Sequence, residues 1–185
     1  MIINENLGIV YIGLPKTGST AVHRWLMDMP GSVYANPNEQ HDFRVPEKHR
    51  ALEVIATVRH PYSRAISLWR HAHADKLTHK RGAPRLGLSE FVKWMFERSG
   101  ESGQGMFFGW SLSRRIPQHA TIVKLESIDD FRKLQRLSQV HTSPIPVANR
   151  NNHGPMATSM TAIAARMIRE AWREDFLRFD YDMAY

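Results

Sequence analysis

The chain has 185 residues, no cysteine and a formal net charge of +7, with 42% hydrophobic and 23% charged residues. That composition suits a single domain, 1–185, with one core, and it excludes disulfides and thiolate metal centres. No apolar run is long enough to cross a bilayer and no secretory signal precedes the first motif, so a cytoplasmic protein with an anionic partner is expected.

Leu7–Leu14, "LGIVYIGL", is a short apolar run rich in β-branched residues and reads as a buried strand. "PKTG" breaks it. From Ser19, apolar residues recur at helical spacing (Val22, Trp25, Leu26, Met29) until Pro30-Gly31 stops the helix. Ala51–Val58, "ALEVIATV", is a second strand and ends in Arg59-His60-Pro61. Pro61 suits a first helical position, and Tyr62, Ala65, Ile66 and Trp69 share one face of the helix that follows. Arg64 on that helix reads as a solvated charge. Leu88–Arg98 is a third amphipathic helix, and the glycine-rich stretch 100–109 is a loop. Ala120–Leu125 is a further strand, followed by a helix that Ser127 caps, with Asp129 and Asp130 in its first turn. After a proline- and asparagine-rich loop, 142–155, one long helix is predicted over 159–176. Strands alternating with helices predict an α/β fold: three layers, α/β/α, around a central parallel sheet.

In such sheets ligands sit at the carboxyl ends of the strands, where "PKTGST" and "RHPYSR" both fall. A glycine-containing turn feeding a helix N-terminus offers free amides and the positive end of a helix dipole. Lys16 adds a full charge, and Thr17, Ser19 and Thr20 add hydroxyls, so the turn is P-loop-like and suits phosphate or sulfate. It is not spelled as the ATP-type loop, because its lysine precedes Gly18 instead of following it. The strand "ALEVIATV" ends in Arg59, a fixed cation where a kinase would want a carboxylate for Mg²⁺. No metal site is expected. A nucleotide kinase or other NTPase is the alternative reading; a non-catalytic nucleotide-binding module is another. No aromatic-basic stripe of the RNA-reading kind occurs, so nucleic acid is not an expected partner.

"PKTGST" followed by "VRHPYSRAISLW" resembles the paired nucleotide-binding signatures of sulfotransferases that use 3′-phosphoadenosine 5′-phosphosulfate (PAPS). "VKLESIDDF", "IPVANRNN" and "DFLRFDYD" follow in the order seen in carbohydrate sulfotransferases of Golgi and bacterial type. The resemblance implies transfer of a sulfuryl group from PAPS to a hydroxyl of a carbohydrate or glycolipid, without a metal, leaving adenosine 3′,5′-bisphosphate. It implies that Pro15, Lys16, Thr17, Gly18, Ser19 and Thr20 hold the 5′-phosphosulfate, with Lys16 stabilising charge on the departing phosphate. Arg59 and Ser67 would hold the 3′-phosphate, and Arg150 would reach a phosphate from the last loop. A base must take the acceptor's proton, and histidine suits that near neutral pH. His41, between the two signatures, resembles the family's histidine. Glu39, Asp42 and His49 are its rivals.

Overall fold

A computed structural model describes residues 1–36, 42–73, 86–97, 109–138 and 160–185. In chain order these form β1 (Ile2–Asn4), β2 (Ile9–Gly13), α1 (Ser19–Met27), β3 (Ser32–Tyr34), a 3-10 turn (Glu47–His49), β4 (Glu53–Val58), α2 (Pro61–His73), α3 (Leu88–Glu97), β5 (Thr121–Lys124), α4 (Ile128–Ser138), α5 (Ala162–Ala171) and α6 (Arg173–Arg178). They fall into two compact units. The first comprises Met1–Arg59 and Arg115–Asn151, the second His60–Arg114 and Asn152–Tyr185. Among the described residues, no helix is long and apolar enough to cross a membrane.

The first unit is a five-stranded mixed sheet in the order β3-β1-β2-β4-β5. β2, β4 and β5 run parallel, as the apolar runs predict; Gly13 stands opposite Thr57, and Val58 opposite Lys124. β1 and β3 were not foreseen. They pair antiparallel, β1 with both β2 and β3, so the sheet is parallel only on one side of β2. Each has three residues, too few to show alternation against the background. The β1–β2 hairpin closes through Gly8, at φ 68, whose amide donates to the Glu5 carbonyl at 3.1 Å. Val22, Trp25 and Leu26 of α1 and Leu134 of α4 bury against Ile2, Ile9, Tyr11, Ile55 and Val123 of the sheet. These contacts account for one helical layer. On the alternate positions Val10, Ile12, Val54, Ala56 and Val58 are buried too, which is why β2 and β4 read as continuous apolar runs.

The second unit is helical. Its core joins Tyr62, Ala65, Ile66 and Leu68 of α2 to Phe91, Val92 and Met95 of α3 and to Ala164, Ile168, Trp172 and Phe176. The single helix expected over 159–176 is two. Thr161 caps α5, its hydroxyl accepting from the Ala164 amide at 3.2 Å, and the chain kinks at Trp172, at φ −112 and ψ 28, before α6. The kink directs the Trp172 indole N–H to the Gly109 carbonyl at 3.0 Å.

Arg64 is not a solvated charge. It is 0% exposed, donates from Nη1 to the Trp110 carbonyl at 2.6 Å, and stacks 4.5 Å from the Trp172 ring centroid. Burial pulls its pKa down to about 10, with Asp175 acting in the opposite direction. Asp175, 1% exposed, accepts from the Ser111 hydroxyl (2.7 Å) and from the amides of Leu112 (2.9 Å) and Ser113 (2.7 Å). A buried cation and a buried anion thus hold segment 109–113 in the unit. Buried charges persist only with such partners.

Candidate active site

The turn after β2 is built from beneath. Gly13 ends the strand without a side chain, and a Cβ there would lie 2.6 Å from His23 Nε2, 2.7 Å from the Ser19 Cβ and 3.0 Å from Tyr11 Cε1. Glycine therefore lets α1 approach β2 and lets the Tyr11 ring pass toward the next strand. The Tyr11 hydroxyl meets Thr57 Oγ1 of β4 at 2.7 Å, and Thr57 Oγ1 meets Thr17 Oγ1 at 3.1 Å. Thr17 donates its own proton to the Leu14 carbonyl at 2.8 Å, while its amide approaches the same oxygen at 3.4 Å. The Thr17 hydroxyl, expected to face an anion, is thus spent inside the turn.

Above this anchor the backbone alternates in sign: φ is 67 at Lys16 and 78 at Gly18, with Thr17 negative between them. Alternation of that kind turns successive N–H groups toward one concavity, a nest suited to an anion. The left-handed Lys16 costs about 1–2 kcal/mol, since its Cβ crowds the backbone. Gly18 is the N-cap of α1 and has no side chain to satisfy the helix amides. The first helical bonds run from Ala21 (3.1 Å) and Val22 (3.5 Å) to the Gly18 carbonyl, so the Ser19 and Thr20 amides precede the helical ladder. Pro15 and Ser19 are buried, Lys16 is half-buried and Thr20 is exposed. Burial, and then the charge of Arg59, push the Lys16 pKa below the ordinary lysine value.

Arg59 follows β4 directly and is half-buried. Because Gly13 pairs with Thr57, Lys16 and Arg59 leave adjacent parallel strands at the same edge. β5 reaches that edge as well. The Leu125 amide donates to the Val58 carbonyl at 2.9 Å, and a Cβ on Gly18 would come within 2.7 Å of the Leu125 Cδ1 atom. The two signatures read from the sequence, at strand ends, are therefore brought together in Lys16 and Arg59.

The remaining candidates divide. His41 and Glu39 fall in 37–41, and Arg150 in 139–159, outside the described residues. Asp42 lies at the Lys16 edge. β3 ends there, since Tyr34 pairs with Ile2 and Ile2 with Tyr11, and Asp42 acts electrostatically on the nearby Met1 amino group. Its carboxylate accepts from the Arg44 amide at 3.0 Å. His49 is at the other edge, buried before β4 begins, with Nδ1 3.5 Å from Glu5 Oε1 in the β1–β2 turn. Five strand steps, about 16 Å at 3.3 Å each, separate the two ends of β4. Ser67 is half-buried on α2, between the buried Ile66 and Leu68, in the helical unit.

A model of the sulfotransferase family matches residues 1–182. The chain belongs to that family. It is a transferase, and the transfer of sulfuryl groups is its general chemistry. No curated protein and no solved structure matches this sulfotransferase significantly. Sequence reasoning missed the Tyr11–Thr57–Thr17 chain, although a threonine inside the apolar run "EVIATV" was the available signal: a polar group in a buried strand needs a partner.

Proposed function

We propose that this sulfotransferase moves the sulfuryl group of PAPS to a hydroxyl of a carbohydrate or glycolipid, and that residues 1–185 act as one catalytic domain. One observation carries the reading: the charge that acts on Lys16 is a second cation, Arg59, at the same sheet edge. Like charges held near each other in a half-buried place repel, an anion bound between them relieves that repulsion, and such perturbed groups mark functional sites.

The donor supplies an activated sulfuryl group on its 5′-phosphate. Lys16, beside the amides from Gly18 to Thr20, stabilises the negative charge that grows on the oxygen bridging sulfur and phosphorus as that bond breaks. Pro15 ends the strand so that the nest can form, and Thr17 holds the turn from below. Arg59 suits a two-pronged contact with the 3′-phosphate, with Ser67 as a hydroxyl donor and Arg150 as a further cation. His41 takes the proton of the acceptor hydroxyl as its oxygen bonds to sulfur; Asp42 is its rival on the same edge. A magnesium-nucleotide reading would ask the hydroxyl after the lysine to ligate the metal. Here that hydroxyl belongs to Thr17, which is 0% exposed and whose oxygen is enclosed between Leu14 and Thr57, an arrangement that favours metal-independent transfer.

Titration calorimetry with adenosine 3′,5′-bisphosphate tests the donor site. Lys16→Ala and Arg59→Ala are each expected to weaken binding by tenfold or more, about the worth of one charge-assisted hydrogen bond; unchanged affinity in both removes the assignment. With radiolabelled PAPS and a panel of acceptors, His41→Ala should abolish transfer while keeping bisphosphate affinity. Full activity in that variant moves the base to Asp42 or Glu39.

A further inference from the structure

Tyr11, Thr57 and Thr17 are each 0% exposed and their hydroxyls form one chain. Each hydroxyl has a single proton to give. Thr17 gives its proton to the Leu14 carbonyl, so it must accept from Thr57. Thr57, having given its proton to Thr17, must accept from Tyr11. The three protons therefore point one way, from the core side of β2, across β4, and back into the turn after β2. Burial raises the Tyr11 pKa, so the phenol remains a donor throughout the working range.

The chain crosses between two strands twice, and both of its ends belong to the segment that carries Lys16. Thr57 is its middle link. It pairs in register with Gly13 and precedes Arg59 by two residues. Hence the side chain that steadies the Lys16 turn sits on the strand that carries Arg59. We propose that Thr57 is a positioning residue: through Thr17 it fixes the left-handed Lys16 turn relative to β4, and so sets the spacing of the two cations, without touching a ligand itself. The proposal rests on the nucleotide reading above for its effect on affinity, but its effect on the turn is independent of that reading.

Thr57→Val keeps the side-chain shape and removes the hydroxyl. The expected result is a tenfold or larger loss of affinity for adenosine 3′,5′-bisphosphate and a matching rise in KM for PAPS, with kcat lowered as well because a displaced Lys16 stabilises the transition state less. Thr57→Ser, which restores the hydroxyl, should recover all three. Amide exchange at Gly18 and Ser19, followed by NMR without any nucleotide, should quicken in Thr57→Val and return to normal in Thr57→Ser. Wild-type affinity together with unchanged exchange in Thr57→Val overturns the proposal. If the wild-type protein binds no bisphosphate yet Gly18 exchange still responds to Thr57→Val, the nucleotide reading fails and the positioning role stands. Should Thr57→Val not fold, Tyr11→Phe removes only the first donor. It should show the same changes in smaller measure, and wild-type exchange and affinity in that variant would equally refute the role.

Discussion

Gly13 and Thr57 face each other across the parallel ladder of β2 and β4. That pairing places Lys16 and Arg59, the residues that end the next stretch of each strand, at one edge of the sheet. The first of the pair, Gly13, must be glycine for a separate reason. A side chain at Gly13 would occupy the room that Ser19, His23 and the Tyr11 ring use.

Lys16 has a stability consequence. Its pKa lies below the free-lysine value, through burial first and Arg59 second, so the folded chain binds that proton less tightly than the unfolded chain. Protonated Lys16 thus costs stability at neutral pH. The cost fades as pH rises through the window between the lowered value and the ordinary lysine value of 10.5. Lys16→Met should raise the Tm of the nucleotide-free protein. It should also cut the bisphosphate-induced rise to about half or less; for wild type at a hundredfold excess over Kd that rise is about 2.7 kcal/mol, or roughly 5–10 °C. A lower Tm in the variant contradicts the electrostatic account.

The same shift gives bisphosphate binding a pH dependence. Only the ammonium form attracts phosphate, so affinity should fall as pH rises from 7 toward the lowered Lys16 value, sooner than for an ordinary lysine. Lys16→Arg should keep the curve flat to higher pH. Calorimetry across pH 7 to 10 checks this; parallel curves for the two proteins would reject it.

Gly18 faces two obstacles to substitution, its φ of 78 and the Leu125 Cδ1 atom. Gly18→Ala should cost about 2–5 kcal/mol, the sum of a left-handed penalty and an overpacked contact. Adding Leu125→Ala should recover the steric part of that interaction and leave the backbone part. Urea unfolding of the two single variants and the double variant measures the coupling, and strict additivity would mean that Leu125 does not press on the turn.

In the helical unit, Asp175→Ala removes the acceptor of three hydrogen bonds and the carboxylate that offsets the burial of Arg64. A loss of about 3–5 kcal/mol is expected, as for other broken buried charge pairs. Asp175→Asn, which keeps one acceptor oxygen, should lose less. Equal midpoints of denaturation for wild type and Asp175→Ala would exclude this role.

His49→Gln should leave the transfer rate within about twofold of wild type, because His49 lies beside Glu5 at the far end of β4. A drop comparable to that of His41→Ala would contradict the placement.

β2 and β4 were legible because buried parallel strands are written as unbroken apolar runs, β5 by its short β-branched stretch although only Val123 in it is buried, and the turn because proline, lysine and glycine interrupt the first run. β1 and β3 were hidden by their length. The split between α5 and α6 was hidden because "AWREDF" continues a helical pattern; the break falls at Trp172, whose indole N–H reaches Gly109, 63 residues away. Arg64 misled for a related reason. It lies off the face shared by Tyr62, Ala65, Ile66 and Trp69, and its partners, Trp110 and Trp172, are distant in sequence. What the sequence concealed was long-range satisfaction of polar groups, in Arg64, Asp175 and Thr57 alike.

The path of the chain between β4 and β5 bears on synthesis. Ile55 pairs with Thr121, so the last parallel strand joins the sheet only after the intervening helical segment has been made. A ribosome working at about 5–20 residues per second leaves the edge of β4 uncovered for several seconds. During that interval the exposed backbone of β4 is open to pairing with another nascent chain, and a chaperone would protect the yield.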